Sequence, residues 1–249
     1  MPASKVSKSQ LENDVYILKL SPQEIALKYN YQGISSVWRA LKYRGIPYPH
    51  FHIGTKELSE TQRQLIMGTL LGDGHIPAAS PCLRICQCFE QEEYVDWKFN
   101  LIKDWVRPSG VFYEQAHKIN GKHFIYVRFT TYSHPEFKFY RNLFYPEGKK
   151  IVPDEVLSSL QPFGVAVWFM DDGSYMKEKG NVRIHTAGFT IPDNEKILNW
   201  FVSKFGITCH LGKISGGYPV LTFYSKEADK FINLVKPYII PSMLYKIGC

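Results

Sequence analysis

The sequence predicts an α+β fold in which one unit of helix, strand, helix, two strands and helix is written twice, behind a small N-terminal helical unit. Three observations carry this prediction. Ile66-Met67-Gly68-Thr69-Leu70-Leu71-Gly72-Asp73-Gly74 and Val165-Ala166-Val167-Trp168-Phe169-Met170-Asp171-Asp172-Gly173 are both apolar, of helical length, and end in Asp-Gly. Each is followed by an alternating strand and a second helix. Later, Phe129-Thr130-Thr131-Tyr132-Ser133 is echoed by Leu221-Thr222-Phe223-Tyr224-Ser225. Self-similarity at that length marks an internal duplication. The expected boundaries are 1–50 for the N-terminal unit and linker, 60–150 for the first repeat and 151–249 for the second.

In the N-terminal unit, Ser21-Pro22-Gln23-Glu24 reads as a capping box with proline at the first helical position. It opens a helix carrying Ile25, Ala26 and Leu27. Asn30-Tyr31-Gln32-Gly33 reads as a turn, and 34–43 as a second helix with Val37, Trp38 and Leu41 inward. Two short helices about a glycine-containing turn resemble a helix-turn-helix. The second helix offers Ser35, Ser36, Arg39, Lys42 and Arg44 to phosphates or base edges, with Arg39 and Lys42 as its DNA-binding candidates. Pro47-Tyr48-Pro49-His50 breaks the helix and acts as a linker.

Period-two alternation assigns the strand faces in the repeats. Leu83, Ile85 and Phe89 are expected inward, with Arg84, Cys86 and Cys88 outward. The matching strand sends Val182, Ile184 and Thr186 inward and leaves Arg183 and His185 outside. Strands over 111–118, 124–132, 207–214 and 220–224 complete the halves. In them Ile125, Val127, Phe129, Leu221 and Phe223 point inward, and Tyr126, Arg128, Thr130, Thr222 and Tyr224 outward. A face of Arg, Thr, Tyr and Gln can read a nucleic-acid groove, with Arg84, Arg128, Arg183 and His185 as the contacts. Helices through Tyr94 and Trp105, and through Ile197 and Phe205, follow the first strand of each half.

Composition narrows the partners. A hydrophobic share of 45% excludes a disordered scaffold, and Lys plus Arg total 30 against 23 acids, for a net charge of +7. Such a balance favours a polyanion. Cys82, Cys86, Cys88, Cys209 and Cys249 form no even disulfide framework and lack finger-like spacing for zinc, so a reducing compartment is expected. No apolar run reaches the roughly 18 residues of a membrane span, and Met1-Pro2-Ala3-Ser4-Lys5 lacks the apolar core of a secretory signal. An intracellular protein without membrane contact is expected: organellar (mitochondrion or chloroplast) if encoded there, cytoplasmic otherwise.

The repeated acid is the chemical signal. Two helices ending in aspartate, packed about a pseudo-symmetry axis, would place Asp73 and Asp172 side by side, as needed to hold divalent metal against a phosphodiester. Gly68 and Gly72, four apart, share one helix face and permit close approach. In the second helix Val167 and Asp171 stand at the matching positions, and Ala166 is the nearest small residue for the interface. Gly74 and Gly173 are expected to reverse the chain after each helix.

These two segments resemble the signature helices of the LAGLIDADG homing endonucleases, and Trp168-Phe169-Met170-Asp171-Asp172-Gly173-Ser174 is similar to the second motif of the single-chain, two-motif members. The resemblance covers roughly 60–249. It implies two pseudo-symmetric halves with saddle-shaped antiparallel DNA-binding sheets, acting as a monomer on a long asymmetric duplex site and leaving short 3′ overhangs. It implies that Asp73 and Asp172 bind two or three Mg²⁺ ions, with Gly72 and Asp171 beside them in the metal set. Consecutive helical residues point different ways, so the Asp171 side chain is not expected to share the role of Asp172. A lysine near each active site implies catalytic parts for Lys150 and Lys246, with Lys149 competing for the first register.

Rival readings remain on the same fold. An RNA-binding maturase would use the surface on its own intron RNA, and a non-catalytic DNA-binding regulator would combine a disabled nuclease with the N-terminal unit. Retention of both Asp73 and Asp172 favours cleavage over either. An intein fits less well, since Met1 stands where such elements begin with cysteine or serine and no His-Asn pair closes the chain.

Overall fold

The computed structural model describes residues 6–18, 20, 22–46, 57–106, 110–119 and 122–249, with the backbone alone at 114–119 and 122–124. Ser21 of the expected capping box, the 47–50 linker and the first five residues lie outside them. The chain forms two compact units, 1–56 and 57–249.

The first unit holds α1 (Lys8–Glu12), a π-helical turn (Asn13–Ile17), α2 (Pro22–Lys28) and α3 (Ile34–Tyr43). Val6, Leu11, Val15, Ile25, Val37, Leu41 and Ile46 form its own core. Asn30, with φ of 52°, turns the chain between α2 and α3. The buried stripe of α3 is Val37, Ala40 and Leu41, so Trp38, one step round the helix, is exposed rather than inward as expected. Ser35, Arg39 and Lys42 are exposed on the same helix.

The second unit begins with α4 (Glu60–Leu71), opened by a Ser59–Gln62 capping box. Then come β1 (Arg84–Cys88), α5 (Glu92–Ile102), β2 (Phe112–Ile119), β3 (Lys122–Thr130) and α6 (Pro135–Phe144). After α7 (Asp154–Ser159) the order returns: α8 (Pro162–Asp172), β4 (Gly173–Met176), β5 (Asn181–His185), α9 (Ile191–Phe205), β6 (His210–Lys213), β7 (Pro219–Phe223) and α10 (Ser225–Val235). One sheet has the order β1-β3-β2 and the other β4-β5-β7-β6, with every pairing antiparallel. The registers match between halves: Ile85 faces Phe129 as Ile184 faces Leu221, and Arg84 faces Thr130 as Arg183 faces Thr222.

The duplication holds with additions that the repeat pattern did not show. Strand β4 pairs Ser174 with Arg183 where the first half has only a bridge between His75 and Arg84. Helix α7 also went unread, because six residues are too few for a helical period to declare itself.

Three assignments on the strands also differ. Phe89 is 45% exposed because the strand ends at Cys88 and a 3₁₀ turn begins. Ile125 is 46% exposed, toward the hairpin end and away from the buried Val127 and Phe129. Thr222 is buried on the outer face, because central strand β7 sets it between Arg183 of β5 and His210 of β6. Among the described residues no helix is long and apolar enough to cross a membrane.

Candidate active site

Helices α4 and α8 pack against each other over most of their length, and their contacts advance in the same direction. The Gln161 backbone amide donates to Gln64 Oε1 at 2.8 Å, and Gln64 Nε2 donates to the Ser159 carbonyl at 2.9 Å. One turn on, a Cβ at Gly68 would collide with the Gly164 carbonyl oxygen and lie 2.8 Å from Val167 Cβ. A further turn on, a Cβ at Gly72 would lie 2.5 Å from Asp171 Cβ. The helices are therefore parallel, and their C-terminal ends emerge together. Residues Gln64–Leu71 and Gly164–Asp171 are all buried, so this pair forms the centre of the unit.

Ala166 is fully buried, but the atoms that the α4 glycines meet belong to Gly164, Val167 and Asp171. Gly164 is thus the small residue on the α8 side, placed outside the segment in which the motif is legible. Gly74 and Gly173, expected to reverse the chain after each helix, do so without a left-handed conformation, since neither has a positive φ. They are small because a neighbour is close: a Cβ at Gly74 would lie 2.7 Å from the Thr69 carbonyl oxygen, and one at Gly173 would strike the Phe169 ring.

The parallel pair brings Asp73 and Asp172 to one end, where the helix dipoles also point their negative poles. Asp172 is pushed up to about 7, first by burial and then by the charges of Asp73 and Asp171. Crowded carboxylates at two helix C-termini create an excess of negative charge that a hard cation relieves.

Two lysines answer it from symmetric positions. Lys150 Nζ donates to the Gly72 carbonyl at 2.7 Å, and Lys246 Nζ donates to the Asp171 carbonyl at 2.8 Å. Each therefore touches the residue just before its half's aspartate. Lys149 is exposed, and the contact with Gly72 belongs to Lys150. Burial lowers the pKa of both Lys150 and Lys246, opposed by the attraction of Asp171, Asp172 and Asp73.

Asp171 turns away from this cluster's open side. Its Oδ1 takes a 2.6 Å hydrogen bond from Lys98 Nζ, and both side chains are fully buried. Its Oδ2 accepts from the Asp73 backbone amide at 3.4 Å. Gln87 Nε2 donates to Asp73 Oδ2 at 3.0 Å and to Asp171 Oδ1 at 3.3 Å. Gln87 and Lys98 were not singled out from sequence. Gln87 was nonetheless visible as the one polar residue at an inward position of β1, between Ile85 and the strand's end. Lys98 had no such mark, since a lysine in a helix reads as surface.

The donor set at the helix ends consists of hard oxygens: the Asp73 and Asp172 carboxylates with the neighbouring Gly72 and Asp171 carbonyls. That chemistry suits Mg²⁺ or Ca²⁺ rather than a thiophilic metal. The Asp171 carboxylate, held by Lys98 and Gln87, is already occupied. Among the described residues no three His, Cys, Asp or Glu side chains group to hold a metal by themselves, so a bound ion would need other oxygens to complete its shell.

The remaining candidates lie on the sheets. Arg84 and Arg128 are exposed on the outer face of the first sheet, and Arg183 and His185 are half-buried on that of the second. The Arg183 Nε is buried without a hydrogen-bond partner. His185 Nε2 lies 3.2 Å from Ser174 Oγ, and burial followed by the nearby Arg183 and Lys246 lowers its pKa, favouring the neutral ring.

Two duplicated halves meeting through parallel glycine-packed helices, with an aspartate at each end, define the homing-endonuclease class of fold. The chain belongs to the LAGLIDADG DNA endonuclease family, whose family model matches residues 63–231. It is 31% identical over 198 residues to a probable intron-encoded endonuclease of Wickerhamomyces canadensis, covering 76% of this chain and 85% of that protein. It is 28% identical over 209 residues to RecA of Mycobacterium gastri, covering 76% of this chain but only 48% of that longer protein. A cytochrome b mRNA maturase of Debaryomyces hansenii is 27% identical over 201 residues, covering 78% of this chain and 76% of that one. Among solved structures, the homing endonuclease I-WcaI bound to its DNA recognition sequence matches with a TM-score of 0.73 at 23% identity, covering 91% of this chain and 97% of that one. That likeness establishes the shared α+β fold.

Proposed function

We propose that this chain is a monomeric, site-specific double-strand DNA endonuclease that hydrolyses one phosphodiester in each strand with divalent metal held by Asp73 and Asp172. The observation that carries the reading is the paired arrangement at the helix ends: two aspartates brought to one place, Asp172 raised by burial and then by the charges of Asp73 and Asp171, and a lysine on the carbonyl before each acid. A splicing helper or a DNA-binding regulator has no need of that arrangement, which costs stability.

Asp73 and Asp172 would hold Mg²⁺ together with the Gly72 and Asp171 carbonyls. When bound, the metal supplies activation of a water nucleophile and stabilisation of the leaving oxygen. Lys150 and Lys246 would offset charge at the scissile phosphates, their ammonium groups already fixed by the carbonyl bonds. Arg84, Arg128, Arg183 and His185 would contact the duplex from the sheets. Arg39 and Lys42 of α3 would add contacts from the N-terminal unit. The protein would act in whichever compartment holds its target DNA.

The maturase named among the relatives favours a second reading, in which the same surface binds the chain's own intron RNA. Cleavage of intron-free host DNA by the purified chain separates the two. A double-strand cut that needs Mg²⁺, is not supported by Ca²⁺ and disappears in Asp172→Asn supports the nuclease. No cut, with tight salt-sensitive binding of intron RNA, supports the maturase.

A further inference from the structure

We infer that Asp193 and Lys196 of α9 are positioning residues for Lys150, so that the second half of the large unit sets the lysine beside the first half's aspartate. The placement rests on geometry, and its effect on rate rests on the cleavage reading above.

Lys150 depends on outside support because its own backbone gives it little. Lys246 lies in the 3₁₀ helix Pro241–Ile247, where bonds within the segment fix the chain. Residues 150–153 form neither helix nor strand, so no regular ladder holds Lys150. The Ile151 amide donates to the Phe144 carbonyl at 2.9 Å, which ties the segment back to α6. One residue on, both backbone groups of the buried Val152 are taken by side chains of α9. The Val152 amide donates to Asp193 Oδ1 at 3.4 Å, and Lys196 Nζ donates to the Val152 carbonyl at 2.9 Å. Asp193 and Lys196 are three residues apart, so they share one face of the helix.

The grip is built into the start of α9. Thr190 and Asp193 form its capping box, and the Thr190 hydroxyl donates to Asp193 Oδ2 at 2.7 Å, leaving Oδ1 for Val152. Phe189, just before the cap, is buried, and its ring centre lies 5.7 Å from Lys150 Nζ, within cation–π range. Satisfying a buried amide accounts for the Val152 bonds alone. The ring beside Nζ extends the same contact to the working end of Lys150, which donates to the Gly72 carbonyl at 2.7 Å. An ammonium that offsets charge at a scissile phosphate acts through being in place beforehand, and the partners behind such a group set its orientation.

The first test is acetylation of the whole chain by acetic anhydride, read lysine by lysine by mass spectrometry. In Asp193→Ala, labelling of Lys150 should rise about fivefold, the effect of one lost hydrogen bond on a local opening, while Lys246 is unchanged. Equal rises at both lysines mark general loosening and overturn the inference, as does no rise at Lys150. Asp193→Ala also removes a helix cap and can fail to fold. Lys196→Met, which takes away only a surface-reaching donor, is therefore the second variant, with the same selectivity expected. The second test is single-turnover cleavage with Mg²⁺ at saturating enzyme. Asp193→Ala should slow it about 10- to 100-fold at unchanged DNA affinity. Added to Lys150→Met, it should slow cleavage further by about twofold or less, since the two act through one group. Full multiplication of the two losses overturns the link to Lys150. A wild type that cuts no DNA overturns the nuclease reading instead, and the labelling then decides the placement by itself.

Discussion

The first and second halves of the large unit place the same groups at the same end of the same helix pair, and then surround them differently. Around Asp73 lie an open surface, a glycine one residue earlier and a glutamine on the neighbouring strand. Around Asp172 lie a more buried pocket, an aspartate one residue earlier and a strand, β4, that follows the helix at once. Duplication supplied the frame, and the two copies then diverged in what holds each acid. The difference teaches that matched motifs need not be equivalent sites.

The sharpest way to break the comparison is to remove each acid. Asp73→Asn and Asp172→Asn should each lower double-strand cleavage by about 10³-fold, the several kcal/mol expected of a lost metal-holding carboxylate. A mutant in either acid that cuts both strands at the wild-type rate would remove the paired-site reading. Their effects on stability should diverge. Asp172 is raised to about 7 from 3.8, so the native state holds a proton that the unfolded chain has released. That contribution is complete below about pH 4 and is lost as pH rises through about 7. In EDTA the wild type should unfold at a higher temperature at pH 5 than at pH 8, and Asp172→Asn should flatten the difference. An unchanged pH slope in the mutant would contradict the raised Asp172.

Next in size are the lysines. Lys150→Met and Lys246→Met should each reduce cleavage about 10²-fold with little change in DNA affinity, measured as single-turnover rates against binding curves. A loss confined to affinity would make them ordinary phosphate contacts.

The helix seam offers a comparison in stability. Gly68→Ala drives a methyl group against the Gly164 backbone carbonyl, whereas Gly164→Ala meets chiefly the Leu160 and Gln64 side-chain ends. Backbone yields less readily than a side-chain tip, so Gly68→Ala should cost about 1–3 kcal/mol and Gly164→Ala less. Denaturant unfolding gives the ranking, and the reverse order would contradict the close approach.

The smallest effects are expected at the outer faces. Arg84→Ala and Arg183→Ala should each weaken DNA binding several-fold and reduce the salt slope by about 1. Arg39→Ala with Lys42→Ala should do the same without changing the single-turnover rate. Identical affinity and slope in all of these variants would remove the sheets and α3 from the interface.

Much of this was legible in the sequence, for identifiable reasons. An apolar helix ending in Asp-Gly and occurring twice is a local pattern, and so are the alternating strands that follow it. The duplicated α+β architecture could be read directly. So could Asp73 and Asp172, because each acid lies at a helix end where the periodicity stops. The lysines were legible only as a neighbourhood: spacing could not choose between Lys149 and Lys150, and the 2.7 Å bond to the Gly72 carbonyl distinguishes them. Trp38, Phe89 and Thr222 show the limits of facing rules. Burial depends on where a helix or sheet is covered, and no periodicity contains that information.

By itself, then, the sequence determined that two like halves would each end a core helix in an aspartate within a basic chain. Only the tertiary structure decided that those helices run parallel through Gly68, Gly72 and Gly164, that Lys98 is buried against Asp171, and that Gln87 donates to both Asp73 and Asp171. Patterns within an element follow from its own period. Contacts between elements depend on packing, which brings together residues as distant as Gln87 and Asp171 and gives each a role that neither could declare alone.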